Sequence, residues 1–282
     1  MQKVLGVPNI QLMGASFLIT LREGLEIALV LAILAGYLVK TGRSHDLAAM
    51  WKGTFAALAL CLIFGVAIHL AVGGLNGKVE QATEGVIAVA AASVLTWMIF
   101  WMRENARNLG AELRSQVDQA TGAKALAAIA FVAVFREGLE SALFLLGAET
   151  SSASGAKVVL GGLIGLAISG ALGYLVYKGG NRLNLRAFFL VTGVMLIFFA
   201  AGLVGKAFHE LRELFGFESG WLVEPAWTVT SGPWAEGTFY DFMKGLFGWH
   251  KEAERIRVIT YFLYLVPIMT VFVRGPRKKI AT

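Results

Sequence analysis

The chain has 282 residues, of which 57% are hydrophobic and only 16% are charged, with 33 glycines and a formal net charge of +6. Several windows of about 20 apolar residues are typical of a protein that crosses a membrane several times, and this composition excludes a soluble globular domain as the main fold. The single cysteine, Cys61, excludes a disulfide framework and a cysteine metal cluster.

Seven apolar stretches along the chain predict membrane-spanning helices. They cover residues 12–39, 51–73, 83–102, 125–148, 157–178, 187–208 and 256–273. The predicted fold class is therefore an all-α polytopic membrane protein with seven transmembrane helices, in a single transmembrane domain over residues 1–282.

The first and fourth stretches carry the same five residues near their middle. Arg22-Glu23-Gly24-Leu25-Glu26 is repeated letter for letter, 114 residues later, as Arg136-Glu137-Gly138-Leu139-Glu140. Each charge at this depth costs about 2.5 to 3.5 kcal/mol on membrane-insertion scales, so a cluster of ionisable residues inside a span indicates a functional site. The repeated motif is therefore the main candidate for the function of the chain.

Helix geometry places the charged residues of each motif on one face. At about 100° per residue, Arg22, Glu26 and Glu23 project at about 0°, 40° and 100°, and the second motif repeats this arrangement. Gly24 and Gly138 point away from that face, where the missing side chain lets another helix approach closely. Each motif helix is thus predicted to use one face for chemistry and the other for packing.

Basic residues are concentrated in alternate connections between the stretches. Fourteen lie in one set of connections and three in the other, so the positive-inside rule predicts an external N-terminus and a cytoplasmic C-terminus. The fourteen are Lys40, Arg43, Lys52, Arg103, Arg107, Arg114, Lys124, Lys178, Arg182, Arg186, Arg274, Arg277, Lys278 and Lys279, and the three are Lys3, Lys78 and Lys157.

In this topology the two motif helices run in opposite directions. Residues from about 10 to 103 and from about 124 to 210 therefore form a candidate inverted repeat of three helices each, which a seventh helix follows. Secondary transporters with such repeats place their substrate site near the midplane of the bilayer, where the two motifs would meet.

Further polar residues lie on the outer side of the motifs. Ser16, Thr20 and Ser141 are candidates for a polar approach to the site, and the alternative is that each hydroxyl bonds its own helix backbone. Four glutamates and one histidine at the outer ends of the third and sixth stretches are candidates for a vestibule that gathers cations, with ordinary charge at helix ends as the alternative. They are Glu80, Glu84, His209, Glu210 and Glu213.

The connection between about residues 210 and 255 is the longest outer segment and is rich in aromatic residues. Aromatic residues at that density are typical of a segment at the membrane interface, and the run from 236 to 247 predicts a short amphipathic helix. An interfacial anchor is the simpler interpretation of this outer loop, and a lid is the alternative. The seventh stretch, 256–273, has no ionisable residue in its core and is predicted to buttress the repeat.

Two motif helices that face each other would bring four carboxylates together, from Glu23, Glu26, Glu137 and Glu140. Carboxylate oxygens are hard ligands that suit calcium, magnesium, manganese or ferric iron, whereas zinc or copper sites usually include histidine or cysteine. With both arginines the formal charge is −2, which a di- or trivalent cation would nearly neutralise. We assign one arginine to orienting one carboxylate in each motif. The alternative is two simple i,i+4 ion pairs, which leaves the second glutamate of each motif without a role.

These motifs, in this order, resemble the oxidase-dependent iron permeases, which include the fungal high-affinity iron permease and the bacterial EfeU type. The stretches that carry the resemblance are LREGLE at 21–26, TWMIFWMR at 96–103, FREGLES at 135–141, GGNRLNLRAFF at 179–189, AFHE at 207–210 and YLVP at 264–267. The resemblance implies that Glu23, Glu26, Glu137 and Glu140 coordinate iron, with Arg22 and Arg136 completing the motifs.

The same resemblance implies iron, ferric or ferrous, as the transported substrate, no permanent cofactor, and a place in the inner membrane of a bacterium. It also implies a ferroxidase partner, which in bacterial systems is a periplasmic cupredoxin-like protein together with a haem peroxidase. No nucleic acid partner is expected.

Three other functions stay open at this point. Ligand type alone does not exclude a permease for another divalent metal, such as lead or manganese. An intramembrane di-iron oxidoreductase is a second alternative, although soluble di-iron bundles use Glu-x-x-His motifs and these are Glu-x-x-Glu. A scaffold for the partner oxidase is the third. Direct use of ATP is not expected, because the sequence contains no G-x-x-x-x-G-K-[ST] run.

Overall fold

The structure is a computed structural model, and it describes residues 14–75, 77–105, 109–120, 122–150, 155–178, 185–217 and 219–274. Within these ranges the chain is almost entirely helical. The helices are α1 (Gly14–Lys40), α2 (Leu47–Gly73), α3 (Lys78–Asn105), α4 (Leu109–Gln119), α5 (Ala123–Thr150), α6 (Gly155–Tyr177), α7 (Leu185–Leu214), α8 (Thr238–Phe247) and α9 (Arg255–Arg274), and the strands are β1 (Pro225–Thr228) and β2 (Glu252–Glu254).

Each of the seven predicted stretches lies on a long helix. Five segments are long and apolar enough to cross a membrane: Ser44–Gly73, Lys78–Asn105, Val159–Tyr177, Ala187–Leu214 and Arg255–Arg274. Large apolar side chains point outward from them, with Leu62 68%, Leu163 58% and Leu263 72% exposed. Exposed apolar area of this extent indicates contact with lipid. The protein is therefore an all-α, multi-pass membrane protein.

The motif helices α1 and α5 have 27 and 28 residues, and their lengths fall within the range of the five apolar segments. Unlike those five segments, each motif helix carries the three charged residues of its motif near the middle of its apolar stretch. Length alone would let both helices cross a bilayer of about 30 Å, since a helix rises about 1.5 Å per residue.

The outer segment agrees with its prediction in one element and differs in two. The amphipathic helix predicted over 236–247 is confirmed as α8. However, α7 continues to Leu214, beyond the predicted end at 208, and it carries His209, Glu210 and Glu213 in its last two turns. The antiparallel β1–β2 ribbon was not predicted either, and it pairs Trp227 with Ala253. Of the basic residues used for the topology, Lys3, Arg107, Arg182, Arg277, Lys278 and Lys279 lie outside the described residues.

The long helices pack in pairs. α1 lies along α6, α2 along α5, and α3 along α7, while α1 and α5 also contact each other and α9 packs on α7. The motif glycines allow two of these approaches. A Cβ atom on Gly24 would collide with Ser169 of α6, and a Cβ atom on Gly138 would collide with Cys61 of α2. The prediction that one face of each motif helix serves close packing is confirmed.

The short helix α4 defines one end of the bundle, which we call the α4 end; the opposite end, with β1 and β2, is the ribbon end. Arg43 fixes α4 beside α1, because its guanidinium donates to the carbonyl of Val117 at 3.2 Å and pairs with Asp46 at 3.0 Å. Val117 is fully buried in an apolar cluster that includes Leu38 of α1 and Met50 of α2. The α4 end is thus closed by packed apolar side chains.

The contact between α2 and α5 gives a test of the packing. At Gly53 of α2 an added Cβ would collide with the backbone of Ala127 in α5. Gly53→Ala should lower the free energy of unfolding by about 1–3 kcal/mol, because the two helices must move apart. The measurement is the melting temperature of the detergent-solubilised protein.

Gly36→Ala is the matched control, since no heavy atom of the described residues outside its own helix lies within 4 Å of the position of its Cβ. This variant should melt at or above the wild-type temperature, because alanine favours helix more than glycine does. Equal melting temperatures for the two variants would contradict the close contact between α2 and α5.

Candidate metal centre

The two motifs meet where α1 contacts α5. Glu23 and Glu26 of α1 and Glu137 of α5 each offer a carboxylate oxygen, and these oxygens all lie within 4.8 Å of one another. The structure thus brings together three of the four predicted carboxylates. The fourth, Glu140, lies one helical turn from Glu137 on the same face of α5.

The cluster is shielded from solvent. Glu23 has no exposed surface, Arg22 is 1% exposed, and Glu26 and Glu137 are each 3% exposed. Burying one charged group without compensation is costly, and burying several in the same place is more so. The charge of a cluster of this kind must be compensated, by protons or by cations.

The arginines supply part of that compensation, and they do so unequally. Arg136 donates from Nε to Oε1 of Glu137 at 2.9 Å, its Nη2 contacts the same oxygen, and its Nε lies 3.8 Å from Glu140. On α1, Arg22 Nε lies 3.3 Å from Glu26 Oε1 without the geometry of a hydrogen bond. Arg136 therefore pairs with the adjacent glutamate, in contrast to the simple i,i+4 pairing.

Several carboxylate oxygens in the cluster have no hydrogen-bond partner among the described residues. These include both oxygens of Glu23, Oε1 of Glu26 and Oε2 of Glu137. Buried polar atoms in native proteins nearly always have a partner, so several such acceptors in one place indicate a site for a bound cation. The ligands would all be oxygens, which suits hard metal ions such as ferric iron and manganese.

Of the hydroxyls predicted to form a polar approach, two lie on α1 and one lies on α5. Thr20 donates to the carbonyl of Ser16 at 2.8 Å, and its side chain packs against Gly165 of α6. Ser16 is 1% exposed, and Ser141 is half-buried. Thr20 therefore bonds its own helix backbone, as the alternative interpretation predicts. A polar approach to the site past these hydroxyls stays a prediction.

The predicted outer vestibule lies where α3 meets α7, at the ribbon end. Glu84 of α3 pairs with Lys206 of α7 at 2.6 Å, and Lys206 is 6% exposed. Glu210 lies close to the same place, because its Cβ is 3.4 Å from the position that a Cβ on Gly85 would occupy. Glu80, at the start of α3, is exposed. Lys206 was missed in the sequence, although a lysine within an apolar stretch, four residues before Glu210, is a visible signal.

The histidine of this region bridges the helix and the ribbon. His209 Nδ1 lies 2.9 Å from Glu254 of β2, and its Nε2 lies 3.4 Å from Glu213. Arg212 pairs with both glutamates, at 2.9 Å and 3.3 Å respectively. Because basic side chains neutralise most of these carboxylates, cation gathering here stays a prediction.

The outer segment folds back into the bundle. The Phe247 ring at the end of α8 packs on Phe198 near the middle of α7, with centroids 5.2 Å apart, and Gly248 lies against the backbone of Gly202. Gly248 has a φ of 67°, which caps α8 in the left-handed region. Helix α8 also contacts α1. It therefore reaches inward, closer to the motif helices than an interfacial anchor would.

Comparison with known proteins adds to this geometry. Residues 13–274 match a family model described as the iron permease FTR1 family. The ferrous iron permease EfeU of Escherichia coli O6:H1 is 40% identical over 273 residues, which cover 94% of this chain and 97% of the relative. The same protein of Shigella sonnei has the same identity and coverage, and that of Yersinia pestis is 36% identical over 94% of this chain and 95% of its own length. No solved structure matches the chain.

Substitution of Glu23 tests whether the cluster carries uncompensated charge. Glu23→Gln should raise the free energy of unfolding of the metal-free protein by about 1–3 kcal/mol, because a neutral amide costs less to bury than a carboxylate without hydrogen-bond donors. The melting temperature in metal-free buffer measures this change. Glu112→Gln, on the exposed side of α4, is the control and should stay within about 0.5 kcal/mol of wild type. A lower melting temperature for Glu23→Gln would contradict the charge argument.

The outer segment should be sensitive to acid through His250. Burial, and after it the nearby charge of Arg257, lower the pKa of His250 from 6.5 to about 3. The imidazole is therefore neutral in the folded segment, where its Nδ1 lies 2.9 Å from the carbonyl of Gly248. The unfolded segment takes up a proton near pH 6.5, so stability is complete above that pH and is lost as the pH falls toward 3.

Between pH 7.5 and pH 4.5 the segment should lose about 2–3 kcal/mol of stability. Tryptophan fluorescence during thermal melting measures this loss, since Trp227 and Trp249 are stacked in the segment with centroids 5.0 Å apart. His250→Gln should remove most of the pH dependence, whereas His45→Gln should keep it, because the side chain of His45 is 79% exposed. The same pH dependence in all three proteins would refute the role of His250.

Proposed function

The chain belongs to the iron permease FTR1 family, and on this premise we propose that it carries iron across the membrane through the carboxylates of its two motifs. The observation that carries the proposal is the convergence of Glu23, Glu26 and Glu137 within 4.8 Å, in a buried cluster in which several carboxylate oxygens lack hydrogen-bond donors among the described residues. Glu140 completes the proposed site from α5.

The charge balance of the site suits transport better than permanent capture. Four carboxylates and two arginines give a formal charge of −2, so one di- or trivalent cation nearly neutralises the site. An ion held near neutrality can leave again, whereas a large excess of negative charge would retain it. Oxygen ligands accept both oxidation states of iron, and they favour the harder ferric ion.

Seven membrane spans in a 3+3 inverted repeat form the proposed architecture, with α1 to α3 in one half, α5 to α7 in the other, and α9 as the seventh span. If the halves are equivalent, α1 corresponds to α5 and α2 to α6. The pairing of α1 with α6 then corresponds to that of α5 with α2, and both pairs are extensively packed.

Individual contacts support the same equivalence. Gly173 of α6 faces Ala28 of α1, and Gly65 of α2 faces Ala142 of α5. Ala142 follows Ala28 by the 114 residues that also separate the motifs, and Gly173 follows Gly65 by 108 residues, as Ser169 follows Cys61. These matching contacts on the glycine-bearing faces of α1 and α5 support the proposed equivalence of the two halves.

The ribbon end faces outward in this proposal, and the α4 end faces the cytoplasm of a bacterium across its inner membrane. The support is the excess of basic residues at the connections of the α4 end. Iron would reach the carboxylates from the ribbon end and leave toward the α4 end, which the apolar cluster of Leu38, Met50 and Val117 closes in this structure. Transport therefore requires these side chains to separate.

A ferroxidase partner on the outer side is part of the proposal and rests on the resemblance to oxidase-dependent permeases. The partners would be a periplasmic cupredoxin-like protein and a haem peroxidase. The relatives are named as ferrous iron permeases, so the oxidation state that crosses the membrane is the property to measure first.

Uptake of radioactive iron into proteoliposomes tests the proposal. Iron is supplied as ferrous ion under reducing conditions or as chelated ferric ion. Wild-type protein should accumulate iron. Glu23→Gln and Glu137→Gln should each reduce the rate at least roughly 10- to 100-fold, which is the cost of losing even an outer-shell partner of a metal ligand.

Glu112→Gln, which lies on the exposed side of α4, should retain the wild-type rate. Equal accumulation by all four proteins would refute the carboxylate site. Oxidation of ferrous iron by the purified chain, without accumulation, would instead favour a di-iron oxidoreductase.

A further inference from the structure

The two motif arginines occupy the same position in their motifs, but their surroundings in the structure differ. Arg22 is 1% exposed, and its Nε and Nη1 have no hydrogen-bond partner among the described residues. The side chain of Arg136 is 46% exposed. An arginine that is enclosed on all sides has no room to move, whereas one that is half exposed can change its rotamer.

Arg136 occupies part of the proposed iron site. It donates from Nε to Oε1 of Glu137 at 2.9 Å, and its Nη2 contacts the same oxygen. Glu137 is also the only member of the three-carboxylate cluster that α5 contributes among the described residues. A metal ion cannot use that oxygen fully while two guanidinium N–H groups point at it, because both seek the same lone pairs.

A second resting place for the guanidinium is already in contact with it. The Arg136 Cζ lies 5.2 Å from the centroid of the Trp101 ring on α3, which is within the range of a cation–π interaction. Val132 and Leu139, one turn to either side on α5, are 64% and 38% exposed, so this side of α5 borders lipid. Because contact of a guanidinium with lipid is costly, Arg136 needs a polar or aromatic partner wherever it lies, and the Trp101 ring offers one.

We propose that Arg136 is a tethered cation that competes with iron for Glu137, and that it moves from the carboxylate toward Trp101 when iron binds. The inference rests on the proposed function and assigns different roles to the two arginines. Arg22 provides fixed charge balance, whereas Arg136 must be displaced in every transport cycle.

Such a competitor would make the site selective for ions of higher charge. The attraction between an ion and the carboxylates scales with the charge of the ion. A sodium or potassium ion carries the same single charge as the guanidinium and has no electrostatic advantage over it. A di- or trivalent metal ion gains two or three times the attraction at the same distance, and it can therefore displace the arginine.

Binding of ferrous iron to the detergent-solubilised protein tests this inference, by anaerobic calorimetry on wild type, Arg136→Gln and Arg22→Gln. Removal of the competitor should lower the Kd of Arg136→Gln roughly five- to tenfold. Both variants remove one positive charge from the same cluster. An equal decrease of Kd in both would mean that the arginines only repel iron from fixed positions, and would overturn the inference.

Chemical rescue gives a readout that fixed repulsion would not move. In Arg136→Ala, added guanidinium ion at about 10–50 mM can occupy the vacated place, so the apparent Kd for ferrous iron should rise linearly with guanidinium concentration, as simple competition requires. Wild type should show no such rise. If guanidinium has the same effect on both proteins, the competitive role is refuted, even if Arg22→Gln does not fold.

The motion toward Trp101 has its own signal. Ferrous iron should change the tryptophan fluorescence of wild type, and part of this change should vanish in both Trp101→Phe and Arg136→Gln. A change that Trp101→Phe removes but Arg136→Gln keeps would mean that iron acts on Trp101 directly, and that the arginine does not move there. Absence of any iron binding by wild type would instead refute the proposed function.

Discussion

The cost of placing carboxylates in the interior of a membrane protein governs this structure. Glu23, Glu26 and Glu137 are almost fully buried, so the free energy that their charges would gain from water must come from neighbouring cations and, in our proposal, from bound iron. One helix cannot bury such a cluster alone. The site needs a second motif helix opposite the first, and both need close neighbours on their other faces, which the glycines of the motifs permit. The pairing of α1 with α6 and of α5 with α2 follows from that requirement.

The predictable part of the fold is the part that one helix determines locally. The angle of about 100° per residue was enough to place the charges of each motif on one face and Gly24 and Gly138 on another, and the structure bears out the packing role of the glycines. The long helices that contain the seven apolar stretches were predictable, because length and hydrophobicity alone specify a long apolar helix. Exact helix ends were not, because the continuation of α7 to Leu214 depends on polar contacts with β2.

The parts that the sequence could not predict depend on distant residues. Helix α4 has only 11 residues and is held by Arg43 and by burial of Val117 against α1 and α2. The ribbon pairs residues 225–228 with 252–254, and nothing local to either strand specifies that partner. Charge compensation between helices is hidden in the same way. Lys206 and Glu84 lie 122 residues apart in the chain and 2.6 Å apart in space, so a vestibule read as acidic from the sequence is largely neutral.

The two motif arginines differ in exposure although their motifs are identical, and the elements outside the proposed repeat also differ around them. Two identical motifs in a symmetric fold would have identical surroundings, and neither could be the one that moves. An element outside the proposed repeat removes this equivalence, because α8 folds back from the outer segment to contact α1. Helix α5 has α2 and α3 beside it, and the side chain of Arg136 stays half exposed between these neighbours. The long outer segment thus reaches a motif helix as well as the surface, and its contact with α1 is an asymmetry that accompanies the difference in exposure between Arg22 and Arg136.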